Sequence, residues 1–147
     1  MPGIDLLHEP IALLVLALLL GALIGIERQL RRHPAGLHTN ALVALGSAAY
    51  MVAATGSAGD SPARVMAQIT TGIGFLCGGV IMRQGATVRG LNTAATVWCS
   101  AAVGVLAGAG MTEIALVTAG VILLANILLH WLEHTVMSWP PGSEPQD

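Results

Sequence analysis

The sequence predicts an all-α polytopic membrane protein, a bundle of about five transmembrane helices, on three observations. Only 10% of its 147 residues are charged, whereas soluble domains have about 25%. The apolar residues form long charge-free runs separated by short charged islands, which is typical of membrane-spanning segments. The net charge is −2 and lysine is absent, so we expect no nucleic-acid partner, because nucleic-acid binders carry clustered basic faces.

Five charge-free windows mark the predicted spans, at residues 10–26, 41–58, 65–82, 91–112 and 114–132. About 20 residues are needed to cross ~30 Å of hydrocarbon, so the first and third windows are short. The third is also rich in glycine and is the least well defined. We expect residues 1–135 to form one transmembrane domain of this bundle. Residues 136–147 are predicted to be a short, polar, disordered cytoplasmic tail.

The distribution of arginine predicts the orientation of the helices, because short cytoplasmic loops collect basic residues. The first and third loops carry five of the six arginines, and Arg64 alone lies on the other side. The N-terminus is therefore expected outside, and the C-terminus in the cytoplasm. The five are Arg28, Arg31, Arg32, Arg83 and Arg89.

A faint internal repeat accompanies these loops. Residues 26–29 resemble residues 81–84, and residues 36–39 resemble residues 90–93. One interpretation is two parallel helical hairpins with a fifth helix appended, as in transport-type folds. The other is chance similarity between helices rich in alanine and glycine.

Three predicted helices carry glycines four residues apart, a spacing that lets a second backbone approach closely. Packing inside the bundle is one role for these faces, and a homodimer contact is the other. The glycines are Gly21, Gly25, Gly74, Gly78, Gly104 and Gly108.

Glu27 lies where the first predicted span meets the first loop, and a carboxylate beside the membrane core needs a partner. Arg28, Arg83 or Arg89 could form a structural ion pair with it, or Glu27 could contact a cation or partner protein. Arg28 itself, with the two arginines that follow, is expected to face anionic lipid headgroups.

The third loop ends in Asn92 and Thr93, either of which could cap the fourth helix, as Thr39 could cap the second. Two helix N-termini beside several arginines would form an electropositive pocket for phosphate, a lipid headgroup or a carboxylate. Arg83 and Arg89 border this pocket, so they join the candidate functional contacts. The alternative is simple capping without a ligand.

Catalytic, cofactor and metal sites are not predicted. The predicted spans contain no acidic or basic residue in mid-membrane, which argues against a proton-coupled pump. Residues 130–134 match the HxxEH pattern of zinc proteases, but they close the last span, where interfacial His and Trp are ordinary. The roles of His130, Glu133 and His134 stay open. The polar residues expected inside the membrane suit helix–helix hydrogen bonds: Thr70, Thr71, Thr96, Cys99, Ser100, Thr118 and Asn126.

Four stretches in the same order resemble the MgtC/SapB family of bacterial membrane proteins. They lie at residues 20–28, 34–39, 69–82 and 88–98, and the likeness extends from about residue 11 to residue 110. The resemblance implies an inner-membrane protein of about five helices. It also implies a link to growth in low magnesium and to survival inside host phagocytes, through action on other membrane proteins.

The chain departs from the family pattern in three places. His38 stands where the family usually has Arg, and Cys77 where it usually has a small residue. Many members add a cytoplasmic ACT-like domain after the fifth helix, and this sequence stops fifteen residues beyond Leu132. Any sensing that this domain performs is therefore expected to be absent here or to lie on a separate chain.

Three functions are consistent with these features. The first is a non-enzymatic regulator that docks on another inner-membrane complex, with the lipid bilayer as surroundings and a homo-oligomer as a further possibility. The second is a transporter or channel component for a divalent cation. The third is a lipid-headgroup binder that uses Arg28, Arg83 and Arg89.

Overall fold

The computed structural model describes residues 5–56, 61–84 and 87–136, and the predicted tail, apart from Val136, lies outside them. Within these residues the chain forms five helices and one short hairpin. The helices are α1 (Asp5–Leu30), α2 (Leu37–Thr55), α3 (Pro62–Val80), α4 (Leu91–Gly108) and α5 (Thr112–Val136). Strands β1 (Met82–Gln84) and β2 (Thr87–Arg89) pair antiparallel between α3 and α4. The predicted all-α membrane bundle is confirmed.

In the described part of the chain, four helices are long and apolar enough to cross a membrane: α1, α2, α4 and α5. The remaining described helix, α3, is 19 residues long but falls short of this hydropathy. It corresponds to the third predicted span, which was the least well defined. Helix α1 extends beyond its charge-free window to Leu30 because charges interrupt hydropathy without interrupting the helix. It ends in a Schellman motif, with Arg32 left-handed (φ 57°) and the His33 amide donating to the Arg28 carbonyl at 3.0 Å.

The hairpin corrects the expected simple loop between the third and fourth spans. Helix α3 stops at Val80, and Ile81 already has extended backbone (ψ 117°). Gly90 then turns the chain into α4 with a φ of 91°, and a Cβ there would collide with the Val80 carbonyl. Only glycine fits this left-handed, crowded position, so the hairpin is anchored to the end of α3.

The core lies around the central pair, α2 and α4. Glycines of α4 meet the backbone of α2, since a Cβ on Gly108 would lie 2.5 Å from the Ala48 carbonyl oxygen and one on Gly104 would collide with the Ala44 carbonyl. On one side, α1 packs into this pair and α5 covers α1 and α4. On the other side, α3 contacts α4 and α2 and buries only one side chain, Ile73.

Candidate functional site

The ends of α1 and α3, the starts of α2 and α4, and the hairpin all lie at one end of the bundle, here called the arginine-rich end. It carries five arginines, which lie on the last turn of α1, in the loop that follows α1 and on the hairpin. They are Arg28, Arg31, Arg32, Arg83 and Arg89.

Arg28 is a buried side chain, only 2% exposed, which corrects the expectation that it faces lipid headgroups. Its Nη2 donates to the Thr93 hydroxyl at 2.8 Å, and Thr93 is 3% exposed. The two residues are 65 positions apart, so this bond ties the end of α1 to the first turn of α4. The Arg28 Nε is buried without a hydrogen-bond partner among the described residues.

Asn40 and Ser100 form a second buried polar pair one helix away. The Asn40 amide donates to the carbonyls of Ala35 and Gly36 at 3.0 and 2.9 Å. Its Oδ1 accepts from the Ser100 hydroxyl at 2.8 Å, and both side chains are fully buried. These bonds fix the first loop to α2 and α2 to α4.

Ser100 was predicted to form a helix–helix hydrogen bond, but Asn40 was not predicted. The bonds from Asn40 to the loop could have been predicted from the sequence. An Asn in the first turn of a helix that follows Pro and Gly can donate hydrogen bonds to the loop carbonyls. Its contact with Ser100 depends on the tertiary arrangement and has no such signal.

Glu27 pairs with Arg31, which lies four residues further along, directly after the end of α1; this corrects the expected partners Arg28, Arg83 and Arg89. Carboxylate and guanidinium at this spacing lie on the same helix face. The Glu27 Oε2 is buried and has no hydrogen-bond partner among the described residues. One oxygen of this carboxylate is therefore held and the other is still available.

Asn92 and Thr93 do not cap α4, and Thr39 does not cap α2. The cap positions belong to Gly90 and Gly36, neither of which has a side chain to offer. Thr93 instead accepts from Arg28, while Asn92 points outward and is exposed. The Asn92 carbonyl accepts from Thr96 at 3.0 Å.

The six candidate contacts therefore separate into two groups. Arg28, Thr93 and most of Glu27 are buried, and the bond between Arg28 and Thr93 joins α1 to α4. Arg83 and Arg89 lie exposed on β1 and β2, beside exposed Asn92 at the start of α4. The buried group supplies rigidity, and the exposed group presents charge.

His33 lies in the first loop, partly buried behind the arginines. Burial lowers the pKa of its imidazole, and the positive charge of Arg28 lowers that pKa further. The ring is therefore neutral at pH 7. A small pocket of about 280 Å³ lies beside it, at the start of α2.

The glycine pairs differ in what they face. A Cβ on Gly21 would lie 2.5 Å from the Asn40 carbonyl oxygen, and one on Gly25 would lie 2.6 Å from the Leu37 Cα. These two glycines let α1 pack closely against α2, just as Gly104 and Gly108 let α4 pack closely against α2. A Cβ on Gly74 or Gly78 would meet nothing within 4 Å, so neither glycine is in close contact with another of the described helices.

Among the residues that the structure describes, no group of three or more His, Cys, Asp or Glu side chains is close enough to hold a metal ion. Glu133 and His134 belong to α5, but their side chains are not among those described.

Comparison with known proteins gives a consistent result. Residues 14–135 match the model of the MgtC family. Protein MgtC of Salmonella paratyphi A is 53% identical over 133 residues, covering 90% of this chain and 58% of the relative. Protein MgtC of Brucella abortus is 58% identical over 114 residues, covering 77% and 48%.

An uncharacterized protein of Synechocystis is 48% identical over 137 residues, covering 92% of this chain and 58% of the relative. This chain thus spans roughly half to three-fifths of the length of these relatives. No solved structure matches it significantly. With a family match across all the spans and relatives near 53% identity, the chain belongs to the MgtC family of membrane proteins.

Proposed function

We propose that this chain is a non-enzymatic inner-membrane protein that modulates another membrane complex, in adaptation to low magnesium or host stress. The proposal is based on three exposed residues, Arg83, Arg89 and Asn92, which lie above a rigid base of buried hydrogen bonds. The base consists of the buried Arg28–Thr93 and Asn40–Ser100 bonds. A preorganised, charged surface suits recognition of an acidic partner surface, because ordering costs little on binding.

The proposed orientation puts the arginine-rich end in the cytoplasm, with the N-terminus outside and the C-terminus inside. Single cysteines at Arg32 and at Met111, which is exposed between α4 and α5, test it in intact cells, in a background without Cys77 and Cys99. A membrane-impermeant maleimide should label position 111 and spare position 32. The reverse labelling would invert the proposed topology.

Site-specific photocrosslinking in native membranes tests the modulator function. A photoreactive amino acid at Asn92 should capture another membrane protein, and the same probe at Val117, an exposed position on α5 (66%), should not. Capture of lipid or of a second copy alone from position 92 would contradict the proposal.

The alternative is a component of an ion channel or transporter for a divalent cation. One observation favours it: the Glu27 Oε2 is buried and has no hydrogen-bond partner within the described ranges, and a carboxylate oxygen is a ligand for hard cations. Cation flux into proteoliposomes that is lost in Glu27→Ala would support this function over the first. Vesicles that stay tight at all cation concentrations would exclude it.

A further inference from the structure

A large cavity lies away from the arginine-rich end, between α2 and α3. It is an open cleft of about 790 Å³ with a predominantly apolar lining. Two glycines, Gly46 on α2 and Gly72 on α3, line it, and a Cβ on either would meet nothing within 4 Å. Helix α3 buries only Ile73, because it packs loosely against α2 along this cleft.

The cleft changes in chemistry along its length. Helices α2 and α3 follow each other and run in opposite directions, so the end of α2 lies beside the start of α3. Tyr50, Arg64 and Gln68 line that end, whereas Leu42 and Leu76 line the other. From Arg64 to Leu76 the helix rises ~18 Å at 1.5 Å per residue.

We propose that this cleft binds one phospholipid with an anionic headgroup. An acyl chain lies along the apolar wall, and the phosphate lies at the end formed by Tyr50, Arg64 and Gln68. The guanidinium of Arg64 is the side chain best suited to a phosphate. Phenol and amide groups at a membrane interface add hydrogen bonds to it.

Three physical arguments select a lipid over other occupants. An apolar cleft binds water weakly, and leaving it empty forfeits packing contacts. Its volume falls within the range of sites that bury a single small ligand, and its length of ~18 Å suits an extended chain. The cation lies at one end only, which matches a molecule with a charged head and apolar tail. This inference does not depend on the proposed modulator function.

Native mass spectrometry of the purified chain tests it, with phosphatidylglycerol and phosphatidylcholine offered in equal amounts. The wild type should retain one phosphatidylglycerol in preference to phosphatidylcholine. Gly46→Leu combined with Gly72→Leu fills the cleft without a backbone clash and should reduce retention about tenfold. Arg64→Gln should keep a lipid bound but lose the preference between headgroups.

Gly120→Leu is the matched control, because Gly120 is an exposed helical glycine on α5 with open space before it. It should retain lipid as the wild type does. Equal retention by the filled-cleft variant and the control would overturn the proposal. A wild-type dimer that the filled-cleft variant fails to form, without lipid retention by either, would also overturn it and assign the cleft to a second copy.

A second measurement needs no variant and so does not depend on how the leucine substitutions fold. Phosphatidylglycerol with a photoreactive acyl chain is crosslinked to the wild-type chain, and the labelled peptides are identified. Labelling concentrated on the facing sides of α2 and α3 supports the proposal. Labelling spread evenly over the lipid-exposed faces, including α5, would refute it.

Discussion

Replacing Thr93 by valine removes the hydroxyl that accepts the buried hydrogen bond from Arg28 and changes little else in size. The bond is 2.8 Å long, and both side chains are almost fully buried. Losing a hydrogen bond to a charged group costs about 1.5–3 kcal/mol, which is about ten- to hundredfold in the folding equilibrium. We therefore expect Thr93→Val to lower the free energy of unfolding by that amount.

Reversible unfolding of the purified chain in detergent micelles, titrated with a denaturing detergent and followed by circular dichroism, measures this change. Thr96→Val is the matched control. Its hydroxyl bonds only the Asn92 carbonyl within the same helix, so its loss should cost less than ~1 kcal/mol. An equal loss of unfolding free energy in the two variants would refute a stabilising role for the Arg28–Thr93 bond. So would an undiminished effect of Thr93→Val in a chain that already carries Arg28→Met, because the charge that needs the hydroxyl is then absent.

The same titration tests three further predictions. Gly108→Ala should destabilise the bundle by about 1–3 kcal/mol through overpacking against α2, whereas Gly78→Ala, with open space before it, should be neutral or gain up to ~1 kcal/mol of helix propensity. A gain in both would contradict the close contact. Ser100→Ala should cost about 1–3 kcal/mol, because it leaves the buried Oδ1 of Asn40 without its donor; no loss would mean that this bond contributes nothing. The lowered pKa of His33 means that the unfolded chain binds a proton first as pH falls below about 6.5. Stability should therefore decline below that pH and the decline should be smaller in His33→Gln; an identical pH profile would assign it to other groups.

Hydropathy and charge were sufficient to predict the helices and the membrane class, because both depend on local composition. The third window was short and rich in glycine, and α3 is the helix that does not reach membrane-spanning hydropathy among those described. The hairpin was not predicted, because its three-residue strands are too short to show a period-two pattern. Its stability comes from the Gly90 turn against Val80.

The candidate site was harder to predict, because its contacts join distant parts of the chain. The Glu27–Arg31 pair has the i,i+4 spacing of helical ion pairs and could have been chosen over longer-range partners. The burial of Arg28 could not have been predicted, since it depends on a hydroxyl 65 residues away. Glycine spacing likewise predicts that a backbone could approach a helix face but not whether one does, as Gly78 and Gly108 show.

The contact between α2 and α4 has an evolutionary consequence. At Gly104 and Gly108 the neighbouring atoms are backbone carbonyls of α2, and every residue type has the same carbonyl. A larger residue on α4 therefore has no second-site suppressor, because no substitution on α2 makes its backbone smaller. A saturation mutagenesis screen for compensating changes should recover reversions to glycine at these two positions and no partner mutations on α2. This part of the sequence should drift more slowly than the side chains around it.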